Sequence, residues 1–538
     1  MSMWTPTPEQ SNRRTVDQLL EDQANSEPNA LLLRIPGGDD FSRGDVLNRS
    51  QQVASALLDD GIMPGDCVAM MVGNSAEFVF AWFGALLIGA IPAPLHASFK
   101  GDILANLLMA MKPTALLIDD EIVNAAAPAL SEIGFDGLVV QIGDSVTDIA
   151  GPVSWSRTVR FAEWTNREPI MQPRRNRLSD ICTILYSSGT TGPSKGALWP
   201  HKAMYALAAD WAMIGKYGPG DIVYTATPLF HGLALSHGVL GALVSGGACA
   251  LAPRFSASRF WSDCAATKAT KTALLGEMAT HLWNQPPSEI ERQHDIDAAF
   301  LAPRPADTFD AFEKRFNLKV YGGLGTSDVG GMTMWAGQDE GNPKAIGRPS
   351  PYWETMLVDD FDEPVPVGEP GELVARPRES SLGTQGYVGM PEASLAILRN
   401  CWYHTGDVLR ADSNGWHYFV DRKKDSMRRG GENISTFEVE QCLLGHPDVL
   451  GACVFAVPSE LSEDDVMATL VLREGAAVTE VGDYAEDRLP YFAVPRYYDV
   501  VDSMPLTATG KIIKSELKLR GITPTTWDRG RTRRTARS

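Results

Sequence analysis

Tyr186-Ser187-Ser188-Gly189-Thr190-Thr191-Gly192-Pro193-Ser194-Lys195-Gly196 gathers hydroxyls, glycines and one lysine into a single short stretch. Such a loop suits a phosphate. Glycine lets successive backbone N–H groups converge on an anion, rotatable hydroxyls add donors, and Lys195 supplies a full positive charge. The spacing excludes a Walker-type loop, which needs Gly directly before the lysine and Ser or Thr directly after it. Here Lys195 stands between Ser194 and Gly196. Composition alone would equally fit a solvated turn, so the reading needs partner motifs elsewhere in the chain.

With 538 residues the chain is too long for one core and should divide into roughly three or four units. Apolar residues make up 44% and charged ones 21%, as in ordinary globular proteins. A net charge of -19 disfavours nucleic acid as a partner of the body of the chain. Any phosphate-rich ligand therefore needs local basic groups. The seven cysteines are scattered without Cys-x-x-Cys spacing, which points to reduced, packing thiols and a cytoplasmic setting. No apolar secretory segment opens the sequence.

Phe78 to Leu95 is uncharged and just long enough to span a bilayer. A buried helix running into a strand fits it better. Asn74-Ser75-Ala76-Glu77 reads as a helix start, Gly89 as its end, and Pro92 and Pro94 as breakers. No membrane span is expected.

Helical stretches (Val53–Asp60, Glu77–Ile88, Ile103–Met111) alternate with short apolar runs (Cys67–Val72, Ile91–Leu95, Ala115–Ile118). The rhythm continues at Ile222–Thr227, Ala248–Ala252 and Leu318–Tyr321. After Glu354 it gives way to strand-like runs at Met356–Val358, Gly371–Ala375 and Trp416–Val420. The charged Asp421-Arg422-Lys423-Lys424-Asp425 reads as a connector. Beyond it, Thr436–Leu444 and Ser515–Leu519 read as helices, and Gly451–Val457 and Met467–Val471 as strands. The expected fold is α/β: a large N-terminal domain of layered α/β subdomains with a small β-rich subdomain (1–423), and a smaller mobile C-terminal α+β domain (424–528). Residues 529–538, rich in arginine, read as a disordered tail.

Taken whole, Ser187-Ser188-Gly189-Thr190-Thr191-Gly192-Pro193-Ser194-Lys195-Gly196 resembles the phosphate loop of the adenylate-forming enzymes, which include acyl-CoA synthetases, luciferases and peptide-synthetase adenylation domains. Further motifs follow in that family's order. Thr227-Pro228-Leu229-Phe230-His231-Gly232 resembles the segment beside the acyl carboxylate, making His231 a gate or wall there. Leu324-Gly325-Thr326-Ser327-Asp328 partly matches the segment whose aromatic packs on adenine and whose acid binds Mg²⁺. Trp402-Tyr403-His404-Thr405-Gly406-Asp407 resembles the ribose segment, with Asp407 accepting from the hydroxyls and Arg422 following. Lys424 falls at the hinge, Gly430 and Gly431 in the loop lining the pantetheine tunnel. Pro505-Leu506-Thr507-Ala508-Thr509-Gly510-Lys511 resembles the signature whose lysine bridges carboxylate and α-phosphate.

The resemblance, in particular to crotonobetaine/carnitine-CoA ligase-like members, implies ATP/AMP, Mg²⁺ and CoA as ligands. It also implies an acyl-adenylate intermediate and exchange of lid orientations about Lys424. Catalytic roles fall to Lys511, Lys195 and His231, phosphate binding to Ser187, Ser188, Gly189, Thr190 and Thr191, and metal binding to Asp328. Nucleotide binding falls to Ala302, Leu324, Ser327, Asp407 and Arg422. The acyl pocket should draw on His231, Leu235, Gly323, Gly331 and Met332, mostly apolar or small, which suits a hydrophobic acid.

Two departures keep a second reading open. Phe300 and Leu301 stand where the family has glycines, and Leu324 and Asp328 replace an aromatic and a glutamate. A ligase specialised for acyl-adenylate plus CoA is therefore an alternative, as is a carrier-protein-loading enzyme. A homodimer would be ordinary for the family. The high Ala, Arg and Gly usage points to an actinobacterial source. Within the family the chain also resembles ligases of terpenoid or polyketide antibiotic biosynthesis, of the platensimycin/platencin type.

Overall fold

The computed structural model describes residues 14–143, 157–187, 195–302, 309–337, 342, 344–423, 427–429, 432–434, 436–458, 464–489, 493–507 and 511–529. Two sheets build the N-terminal body. One is five-stranded and wholly parallel, in the order Ile91–Pro94, Cys67–Met71, Ala115–Asp119, Leu138–Ile142, Arg157–Arg160. Every residue of Cys67–Met71 is buried, as expected of a strand covered on both faces.

The helix Ala76–Ile88 lies against this body. The hydroxyl of Ser75 accepts from Phe78 N–H at its start, and Gly89 ends it at φ 75°. All but one of its residues are buried. Its apolar character serves a protein core. No described helix is long and apolar enough to cross a membrane.

The second sheet has nine strands. Its centre is parallel, running Leu31–Arg34, Ala248–Leu251, Ile222–Thr225, Lys271–Leu275, Ala298–Ala302 and Lys319–Thr326 in spatial order. Gly331–Ala336 then folds back antiparallel with a bulge at Leu324/Gly325. The segments Thr227–His231 and Thr326–Asp328 both leave the carboxyl ends of these parallel strands. Open α/β sheets place ligands at that edge.

The β-rich subdomain is antiparallel and carries Trp353–Val358, Pro370–Pro377, Trp402–Ala411 and His417–Arg422. The smaller C-terminal body has a four-stranded sheet, Val449–Pro458, Asp464–Leu472, Tyr497–Val500 and Trp527–Asp528. Helices Thr436–Leu444, Val478–Glu486 and Lys514–Arg520 pack on it. It owns a separate core that includes Val439, Leu443, Val454, Leu470 and Tyr498. This is the expected α+β architecture. Arg529, read as the start of the tail, belongs to that body instead: its N–H donates to the Arg496 carbonyl and its guanidinium pairs with Glu486. Residues 530–538 lie outside the described residues. Five of the seven cysteines are buried.

Candidate active site

Strands Ile181–Ser187 and Lys195–Pro200 pair antiparallel and bring Ser187 opposite Lys195, closing the glycine-rich loop. Ser188, Gly189, Thr190 and Thr191 lie outside the described residues, as does the side chain of Ser187. Segment 385–388 adds to the hairpin edge through Leu198 N–H to Gly386 O at 2.9 Å and Val388 N–H to Gly196 O at 2.8 Å. That docking sets Lys195 Nζ 5.1 Å from the centre of the Tyr387 ring. The Tyr387 hydroxyl in turn donates to Asp328 Oδ1 at 2.9 Å. Burial and the neighbouring Asp328 push the phenol's pKa up, so it remains a donor.

Tyr387 escaped the sequence reading. It sits in a Gly-rich connection, and nothing local separates it from a packing tyrosine. Ser327 is fixed by its carbonyl, which accepts from Trp199 Nε1 at 3.1 Å. Leu324 packs on Met334, Leu373 and Leu409. Ala302 ends its strand, and its side chain lies outside the described residues.

The ribose candidates are set by sheet register. Asp407 on Trp402–Ala411 stands directly opposite Arg422 on His417–Arg422. Arg422 Nε lies 2.6 Å from Asp407 Oδ1, with Arg422 half exposed and Asp407 wholly buried. Neither carboxylate oxygen of Asp407 has an aligned hydrogen-bond donor. Burial raises its pKa to about 6, against the lowering effect of Arg422 and Lys511. A buried acceptor without a donor is what a diol would satisfy.

Lys511 comes from the C-terminal body. Its N–H donates to Thr507 Oγ1 at 3.0 Å, and Thr507 N–H returns a bond to the Lys511 carbonyl at 2.6 Å, so the two residues hold each other in place. Its charge acts on Asp407, Asp328 and His231, all in the N-terminal body. Removal from bulk water and the adjacent Arg422 lower its pKa, while Asp407 and Asp328 oppose that. Its side chain still reaches solvent.

His231 is held by its own turn, with Leu233 N–H donating to Nδ1 at 3.2 Å. Nε2 then carries the proton. Burial, aided by Lys511, pushes the pKa down to about 4, so the imidazole is neutral near pH 7.

Beyond His231 the chain enters a π-helix, Ala234–Leu240, which contains Leu235. Below it lies an aromatic floor. The Phe300 ring meets Trp211 edge-on at 4.6 Å, and Trp211 meets His237 at 5.3 Å. Tyr217 bonds His237 Nε2 at 2.6 Å and Tyr321 at 2.9 Å. Burial pushes His237 down to about 3 and keeps it neutral.

Strand alternation separates the two bulky departures. Phe300 joins this floor together with Met332 and Leu235. Leu301 packs on the opposite face with Leu274, Phe312 and Phe316. Leu301 therefore turns away from the face that carries Phe300. Gly323 and Gly331 are also explained by packing: a Cβ would come within 2.7 Å of Met332 Sδ at the first and 2.9 Å of the Trp353 ring at the second.

Lys424, Gly430 and Gly431 lie outside the described residues. Strands Met427–Arg429 and Glu432–Ile434 pair antiparallel on either side of the glycines.

The AMP-binding enzyme family matches residues 20–387, and its C-terminal domain matches residues 438–511. The chain therefore belongs to the AMP-binding enzyme family, as its motifs anticipated. It is 28% identical to a crotonobetaine/carnitine–CoA ligase of Escherichia fergusonii over 91% of this chain and 95% of that protein. The corresponding ligase of Escherichia coli O139:H28 is 29% identical with the same coverage. Among solved structures, the anthranilate CoA ligase AuaEII, in complex with anthranoyl-AMP, superposes with a TM-score of 0.85 at 24% identity, covering 95% of this chain and 97% of that one. A benzoate CoA ligase from Burkholderia xenovorans LB400 gives 0.82 at 22% identity, covering 94% and 100%.

Proposed function

We propose that the enzyme converts a hydrophobic carboxylic acid to its CoA thioester through an acyl-adenylate, using one site for both half-reactions. The supporting observation is that the charge of Lys511, from the C-terminal body, acts on Asp407, Asp328 and His231 of the N-terminal body. In adenylation Lys511 and Lys195 neutralise charge where the carboxylate meets the α-phosphate, and Asp407 with Arg422 holds the ribose. Neutral His231 shields the acyl carbonyl from water.

Mg²⁺ would supply further charge neutralisation on the phosphates. Among the described residues no cluster of three or more His, Cys, Asp or Glu side chains could hold a metal alone. One carboxylate plus phosphate oxygens is the usual Mg²⁺ arrangement, and Asp328 fits it. Tyr387 orients that shorter acid through Oδ1.

Thioester formation follows when the C-terminal domain turns about Lys424, withdrawing Lys511 and bringing in Gly430 and Gly431 to line a path for the thiol. The aromatic floor of Phe300 and Trp211 bounds the acyl site and favours flat or compact apolar acids. The decisive experiment offers a panel of acids with ATP and Mg²⁺, following pyrophosphate and acyl-CoA separately, and repeats it with synthetic acyl-adenylates. Both products should appear with a cognate acid. Acyl-CoA from the adenylates without pyrophosphate from any acid would replace this reading by a thioesterification-only ligase.

A further inference from the structure

Asp421 is the penultimate residue of the strand His417–Arg422 in the N-terminal body, yet its carboxylate is engaged by the C-terminal one. The Thr436 N–H donates to Asp421 Oδ2 at 2.7 Å, and the Thr436 hydroxyl donates to Oδ1 at 3.1 Å. Lys514 Nζ donates to that same hydroxyl at 3.2 Å and pairs with Glu440 at 3.0 Å. Asp421 and Thr436 are both buried. A second contact runs beside the first: the Phe419 and Phe437 rings meet edge-on at 5.0 Å. The two residues on each side are two or fewer positions apart, and a chain segment containing Lys424 separates the pairs.

We infer that Asp421 and Phe419, gripping Thr436 and Phe437, form a clasp that positions the C-terminal body with the charge of Lys511 acting on Asp407, Asp328 and His231, and that the clasp opens for thioester formation. This inference rests on the two-orientation reading above. The geometry gives the grip a direction. A carboxylate at the start of helix Thr436–Leu444 satisfies its free N–H groups only in one orientation of that helix relative to the strand. An edge-on ring pair likewise tolerates little rotation. Turning the C-terminal body would part both contacts together and re-expose Asp421, Thr436 and the two rings to water. Asp421 and Phe437 are positioning residues, since neither faces the reacting atoms.

The test uses the full-length enzyme and two variants, Asp421→Asn and Phe437→Ala. The second is needed because Asp421 Oδ1 also accepts from Arg422 N–H at 2.7 Å and so steadies a ribose candidate. Adenylation is read as acid-dependent ATP–pyrophosphate exchange, and thioester formation as acyl-CoA from synthetic acyl-adenylate. Each variant should slow exchange five- to tenfold while acyl-CoA formation stays within twofold or rises. Equal losses in both halves, or none in either, overturn the clasp. Trypsin nicking between residues 422 and 429 gives a readout independent of activity. It should quicken severalfold in both variants, and unchanged nicking in both overturns the clasp even if the substrate assignment fails. Failure of wild-type enzyme in both half-reactions would sink the functional reading instead.

Discussion

Replacing Asp407 by Asn should make the protein more stable and a worse nucleotide binder. Asp407 is wholly buried, and its pKa rises from 3.8 to about 6 even with Arg422 2.6 Å away. A carboxyl whose folded-state pKa is raised adds stability while protonated. That addition is complete below about pH 4 and is lost as pH rises through about 6. Ionised Asp407 is therefore a net cost at pH 8. Two pKa units and a fraction, at about 1.36 kcal/mol each, place the cost at ~3 kcal/mol. At pH 5 the same shift leaves about 1.5 kcal/mol. Asn is neutral throughout, and half-exposed Arg422 regains water when its partner is lost. Urea unfolding followed by tryptophan fluorescence should show D407N gaining stability over wild type by up to ~3 kcal/mol at pH 8 and about half that at pH 5. AMP affinity, by calorimetry, should fall at least tenfold, since hydrogen bonds to a charged acceptor contribute about 1.5–3 kcal/mol. A destabilised variant at pH 8, or an identical gain at both pH values, would refute the buried-charge argument. Unaltered AMP binding would refute the ribose role.

Four further outcomes follow from the same geometry. Lys511→Ala should reduce acid-dependent pyrophosphate exchange by about a hundredfold or more while acyl-CoA formation from acyl-adenylate survives, because only adenylation needs that charge. Parallel losses would contradict it. Phe300→Ala removes an edge-on partner of Trp211 and should cost about 3–5 kcal/mol of stability, while shifting kcat/KM toward bulkier acids. An unchanged acid preference would place the acyl site elsewhere. Deleting residues 530–538 should leave both half-reactions within twofold and the unfolding midpoint unchanged. Cutting after Asp528 also removes Arg529 from Glu486 and should cost ~1 kcal/mol, measured by urea unfolding.

The sequence by itself determined the layered α/β plan, because burial on both faces of a parallel strand forces runs such as Cys67–Met71 to be apolar throughout. Ser75 and Gly89 bounded the Ala76–Ile88 helix for equally local reasons: a side-chain acceptor at one end and a left-handed residue at the other. The family was legible in the motifs around Lys195, His231, Asp407 and Lys511, because they are short segments of particular residue types in a fixed order. Tertiary structure decided everything that depends on which residues meet across long chain separations. Tyr387 reaches Asp328 only because segment 385–388 docks on the hairpin of Ile181–Ser187 and Lys195–Pro200, and no local pattern encodes that docking. Phe300 and Leu301 read alike in the sequence, but strand alternation sends one to the aromatic cluster with Trp211 and the other into a different core. The clasp of Asp421 with Thr436 likewise arises where two independently packed bodies abut, and neither body's sequence pattern specifies their relative orientation.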